Sequence, residues 1–92
     1  MTVQKRIKLL ITGKVQGVGF RFFVKEKADT LGVRGYVRNL KDGSVYATAQ
    51  GRDCALDNLL NWCYRGPKGA YVKNIEKKIV KTKEFSDFKI SY

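Results

Sequence analysis

The residues with most chemistry to offer stand in one nine-residue stretch, Gly13-Lys14-Val15-Gln16-Gly17-Val18-Gly19-Phe20-Arg21. The stretch lies between the end of a strand pattern and the start of a helix pattern. Backbone N–H groups at a helix N-terminus have no partner within the helix, and the helix dipole leaves that end positive. Glycines let the chain curl until successive N–H groups converge on one point, a nest for an anion. Gly13, Gly17 and Gly19 supply that freedom. Arg21 falls in the first helical turn, an unfavourable place for a cation unless an anion binds beside it. Its guanidinium fork could then grip two oxygens of a phosphate. The plainer reading is a glycine-rich turn followed by a surface arginine. Gly17-Val18-Gly19 lacks the third glycine of the dinucleotide fingerprint, and no Gly-Lys-Ser or Gly-Lys-Thr follows at P-loop spacing.

A second candidate is Asn39, at the end of a strand pattern in Gly35-Tyr36-Val37-Arg38-Asn39-Leu40-Lys41-Asp42-Gly43-Ser44-Val45. Asparagine commonly opens a turn. It is also a neutral amide able to orient a water or a substrate oxygen. Arg38 alternates away from Asn39 and is expected on the opposite sheet face. The chain has no histidine. That excludes Ser-His-Asp and Cys-His nucleophile pairs, a histidine general base and histidine-ligated metal. No metal and no cofactor are expected.

The elements that must position these residues follow from periodicity. Ile7, Leu9 and Ile11 alternate along a first strand from about Lys5 to Thr12. Phe20, Phe23, Val24, Ala28 and Leu31 recur at helical spacing, and Gly32 is placed to end that helix. Val33 to Asn39 and Ser44 to Gln50 read as strands joined by the hairpin signal Asp42-Gly43. Asp53 is the expected N-cap of a second helix with the stripe Leu56, Leu59, Leu60 and Cys63, which Gly66-Pro67 stops. Tyr71 to Val80 is a further strand, and Phe88, Ile90 and Tyr92 alternate in a short last one. The pattern predicts one domain, residues 1–92, of α+β class: a ferredoxin-like β-α-β-β-α-β sandwich. Its sheet is expected to be antiparallel, with two helices on one face and a short extra C-terminal strand. Phe20 and Phe23 are expected in the core, and Trp62 is expected to pack. Phe22 lies off the stripe, to flank the site or sit on the surface.

At 92 residues the chain has room for one modest core. Its 19 Lys and Arg against 8 Asp and Glu give a net charge of +11. Such a surplus either keeps a surface solvated or attracts nucleic acid, anionic membrane or small anions. Cys54 and Cys63 lie nine residues apart on the second helix. At about 100° per residue they fall on opposite sides, too far apart to bridge. Free thiols suit a reducing cytoplasm. No secretory signal and no membrane-spanning run is visible.

The run Ile11-Thr12-Gly13-Lys14-Val15-Gln16-Gly17-Val18-Gly19-Phe20-Arg21 resembles the first signature of the acylphosphatases. Gly35 to Gly51, with Tyr36, Asn39, Gly43 and Val45 in place, resembles their second. Gly66-Pro67 with Ala70 and Val72, and the closing Phe88-Lys89-Ile90, are similar to the rest of that pattern. The resemblance implies a ferredoxin-like sandwich that hydrolyses acyl phosphates to a carboxylate and inorganic phosphate, the latter a product and inhibitor. It implies that Arg21 binds the phosphoryl group, that Asn39 positions the attacking water, and that the loop Val15, Gln16, Gly17, Val18, Gly19 and Phe20 cradles the phosphate. The expected partner is a small-molecule acyl phosphate, not nucleic acid or membrane, and nothing demands more than a monomer. The rival readings are a catalytically idle anion-binding domain on the same scaffold and an RNA-binding module. The latter is disfavoured because the first strand has no aromatic residue and the third has only Tyr46.

Overall fold

Alternation decides which side of each strand is covered, and that fixes where the helices lie. The computed structural model describes residues 3–92. The elements are β1 (Lys5–Lys14), α1 (Phe20–Leu31), β2 (Arg34–Asn39), β3 (Val45–Gly51), α2 (Asp53–Arg65), β4 (Tyr71–Val80) and β5 (Phe88–Ser91). The strands form one sheet in the order β4-β1-β3-β2-β5. Leu9 pairs with Ala47 and Ile11 with Val45 across β1 and β3. These residues, with Ile7, Val37 and Ala49, are buried on one face. Phe20, Val24 and Ala28 of α1 and Ala55, Leu56, Leu59 and Cys63 of α2 complete the core. The opposite face carries Tyr36 and Tyr46, ring centroids 6.1 Å apart, and Arg38 over the Tyr46 ring. Arg38 therefore lies across the sheet from the side that Val37 buries, as alternation requires.

The sheet is mixed rather than wholly antiparallel, because β5 runs parallel to β2. The reason is where β4 ends. Val80 lies opposite Arg6, at the end of the sheet where β1 begins, β3 finishes and β2 starts. Residues 81–87 cross that end and are held there by side chains of three strands. Arg6 donates to the Lys81 carbonyl and to Thr48 Oγ1. The Gln50 amide donates to the Lys83 carbonyl and accepts its N–H, and Arg34 donates to the Phe85 carbonyl. Chain arriving at the start of β2 can add a strand only in the direction of β2.

Three smaller differences have local causes. β1 runs on to Lys14, because Gly13 and Lys14 pair with Val72 and Tyr71 after a bulge. Gly13 has φ 126°, and a Cβ there would collide with the Tyr71 carbonyl, so this glycine serves the strand pair rather than the loop. The N-cap of α2 is Arg52, in extended conformation, and Asp53 is the first helical residue. Its carboxylate still lies at the positive helix end and pairs with Lys5 at 3.1 Å. The last strand stops at Ser91, leaving Tyr92 89% exposed. Cys54 is exposed and Cys63 buried on opposite sides of α2, both as free thiols. Burial pushes the Cys63 thiol up to about 12. No helix among the described residues is long and apolar enough to cross a membrane.

Candidate active site

The loop of residues 15–19 opens at the end of β1 and closes on Gly19, the N-cap of α1. Gly17 and Gly19 both adopt left-handed backbone, at φ 76° and 77°. A side chain at either position would meet open space, so what selects glycine is the backbone angle. An L-residue there pays roughly 1–2 kcal/mol. The turn brings the first N–H groups of α1 to a free end. No side chain caps that end and no acidic residue stands in the first turn. The helix begins with the Phe23 N–H donating to the Gly19 carbonyl at 3.0 Å, which leaves the N–H groups of Phe20, Arg21 and Phe22 outside the helical ladder.

This helix end borders a cleft of about 170 Å³ lined by Val15, Gly17, Gly19, Phe20, Arg21, Phe22 and Asn39. Val15 and Phe20 are buried and anchor the loop in the core. Arg21 Nη1 donates to the Ser91 carbonyl at 3.2 Å, and its guanidinium lies 4.6 Å from the centre of the Tyr92 ring. None of the ion pairs among the described residues involves Arg21. Its charge and the positive helix end therefore add in one small cleft. Asn39 reaches the same cleft from the last position of β2, opposite Val45. Five of the six loop and helix residues expected around a phosphate line the cleft or anchor it, counting Val18, which packs against the core.

Gln16 is the sixth, and its side chain turns elsewhere. Its amide nitrogen donates to the carbonyls of Leu40 at 2.7 Å and Ser44 at 2.9 Å. Those carbonyls belong to the β2–β3 turn, which carries Asn39 at its start. Gln16 thus ties the loop to the hairpin and fixes the spacing between Arg21 and Asn39. The turn is itself locked by Asp42, whose carboxylate accepts from the Ser44 N–H and hydroxyl. Those two donors hold the Asp42 carboxyl below its usual range. The Gln16 tether, the contact of Arg21 with Ser91 and Tyr92, and the presence of Phe22 in the lining extend the residues readable from the motif. The first two join residues 24 and 70 positions apart in the chain, and no local pattern signals such pairs. Phe22 alone left a trace, as an aromatic off the helix stripe.

Fold and cleft together define a ferredoxin-like α+β sandwich with an anion-sized positive site between its first loop and its hairpin. A family model, Acylphosphatase, matches residues 7–90. The acylphosphatase of Thermotoga maritima is 43% identical over 88 residues, covering 96% of this chain and 98% of that protein. The crystal structure of acylphosphatase from Bacillus subtilis superposes with a TM-score of 0.93 at 32% identity, over 96% of this chain and 99% of that one. Full-length HypF in its phosphate- and nucleotide-bound form contains a region with a TM-score of 0.90 at 26% identity, covering all of this chain and 12% of that one. The chain belongs to the acylphosphatase family, and the reaction it carries is hydrolysis of acyl phosphates.

Proposed function

We propose that the loop and Arg21 hold the phosphoryl group of the substrate and that Asn39 positions the attacking water. The observation that carries the reading is the convergence of an arginine in none of the ion pairs among the described residues, an uncapped helix N-terminus and the Asn39 amide on one cleft. Backbone N–H groups and one guanidinium can spread the charge of a transferring phosphoryl group without any titrating base. The water oxygen bonds to phosphorus in line with the acyl oxygen. The bond from phosphorus to that oxygen breaks, and its electron pair leaves on the carboxylate. A carboxylate is a weak base, so no strong acid has to protonate it. The water gives one proton to a phosphoryl oxygen and keeps the other, so a dianionic acyl phosphate yields RCOO⁻ and H₂PO₄⁻. Asn39 is too weak a base to take that proton. Asp42 is a poor alternative, since its carboxylate is engaged by Ser44 and does not line the cleft.

Val15, Arg21, Phe22 and Asn39 line the cleft from one sandwich, which supports a single catalytic domain. Inorganic phosphate is then a product that competes for the loop. The free thiols support a reducing, cytoplasmic setting. Phosphate release from benzoyl phosphate, followed without added metal, tests the roles. Arg21→Ala is expected to lose about 10²–10³-fold in kcat/KM and to weaken inhibition by phosphate. Asn39→Ala should chiefly lower kcat and leave phosphate inhibition in place. Full activity in both variants would sink the assignment. The rate should also be flat from pH 6 to 8, and an enzyme group titrating in that window would count against substrate assistance.

A further inference from the structure

We infer that Phe22 forms a subsite for the acyl half of the substrate and that the chain favours acyl phosphates with flat, apolar acyl groups. The inference rests on the phosphoryl placement proposed above. Every polar element of the cleft is then assigned: loop N–H groups and Arg21 to the phosphoryl oxygens, Asn39 to the water. Val15 and Phe20 are spent on the core, at 1% and 2% exposure. Phe22 is left. It lines the cleft yet is 64% exposed, and phosphate binding has no use for a phenyl ring. Among the large exposed apolar side chains of the described residues, Phe22 alone lines this cleft.

Helix geometry explains why the ring reaches the cleft. Side chains of an α-helix lean toward its N-terminus, so a residue covers the turn before its own Cα. Phe22 is the third residue of α1, and its ring leans over the helix end that the phosphoryl group would occupy. In-line attack from the Asn39 side sends the acyl oxygen away from Asn39. Phe22, 64% exposed, stands at the outer edge of the cleft. The acyl group must project across the rim. A flat apolar group there can lie against the Phe22 ring at the centroid separations of about 4.5–7 Å that aromatic pairs prefer. A methyl group would touch little of it.

The test compares kcat/KM for benzoyl phosphate and acetyl phosphate in wild type, Phe22→Leu and Phe22→Ala. An exposed position tolerates these changes, and a wild-type urea unfolding midpoint reports that the fold is intact. Phe22→Ala should lower kcat/KM for benzoyl phosphate about five- to tenfold, the cost of exposing part of a phenyl ring. The ratio of benzoyl to acetyl phosphate kcat/KM should fall with it, with Phe22→Leu in between. Inhibition by benzoate should weaken in Phe22→Ala while inhibition by inorganic phosphate stays unchanged. An unaltered ratio of benzoyl to acetyl phosphate overturns the subsite and leaves the phosphoryl site standing. Phosphate inhibition undiminished in Arg21→Ala overturns the phosphoryl site, and the subsite with it.

Discussion

Arg21 stands where elementary electrostatics would not put it. A cation in the first turn of a helix opposes the dipole, at about 0.3–1 kcal/mol, and α1 has no acidic residue there to offset it. The Ser91 carbonyl and the Tyr92 ring compensate in part, but neither carries a negative charge to Arg21. An anion in the cleft removes the conflict, so the residue is better suited to the liganded state than to the free one. Two outcomes follow. In phosphate-free buffer, Arg21→Ala should cost less than about 1 kcal/mol in urea unfolding, because the lost contacts and the relieved repulsion oppose each other. Saturating phosphate should raise the stability of the wild type, by about 2.7 kcal/mol at one hundred times Kd, and should leave Arg21→Ala almost unmoved. An equal phosphate effect on both proteins would mean the anion binds elsewhere.

At the level of elements, the site exists because two segments far apart in sequence are fastened together. The β1–α1 loop and the β2–β3 hairpin each have local reasons for their shape, the left-handed glycines in one and the Asp42–Ser44 lock in the other. What joins them is the Gln16 side chain on the Leu40 and Ser44 carbonyls. Gln16→Ala removes both bonds but touches neither Arg21 nor the loop glycines. It should lower kcat about tenfold or more, since small misplacement of a reacting group is costly, while phosphate inhibition changes by less than about threefold. Parallel losses in both would show that the loop itself had collapsed. This division also marks what was legible in the sequence. The loop, the first helix with its Gly32 stop, the hairpin and the alternation of Val37 and Asn39 against Arg38 are local or periodic, and all stood in the chain as written. The direction of β5 was not legible, because it depends on residues 81–87 being pinned by Arg6, Gln50 and Arg34 from three different strands. Nor was the contact of Arg21 with Ser91, which only β5 lying beside β2 brings within reach. The motif named Gln16 as part of the loop, and its actual use as a tether needed the packed hairpin.

For the whole molecule, the net charge of +11 is unevenly spread between the layers. The two helices together carry four basic and four acidic residues, whereas the five strands carry ten basic residues and Glu76 alone on the acidic side. The excess thus belongs to the sheet. One strand residue and two turn residues add positive charge at the end where the cleft opens: Lys14 finishes β1, Lys41 sits in the β2–β3 turn, and Lys68 lies in the turn before β4. Asp42 opposes them but is already engaged by Ser44. A dianionic substrate approaching that end meets a positive field that none of the three ion pairs among the described residues neutralises, since these lie at Asp53 and within α1. Such fields raise encounter and local concentration at low ionic strength, and they fade once the screening length falls to about 8–10 Å near 0.1–0.15 M salt. Turnover per substrate concentration should therefore fall several-fold between about 10 and 200 mM sodium chloride, with kcat itself nearly constant. Lys14→Gln with Lys41→Gln should flatten that dependence without altering activity at high salt, because neither side chain lines the cleft. A wild-type rate indifferent to salt would assign the surplus to solvation of the sheet surface and leave capture of the substrate to Arg21 and the loop.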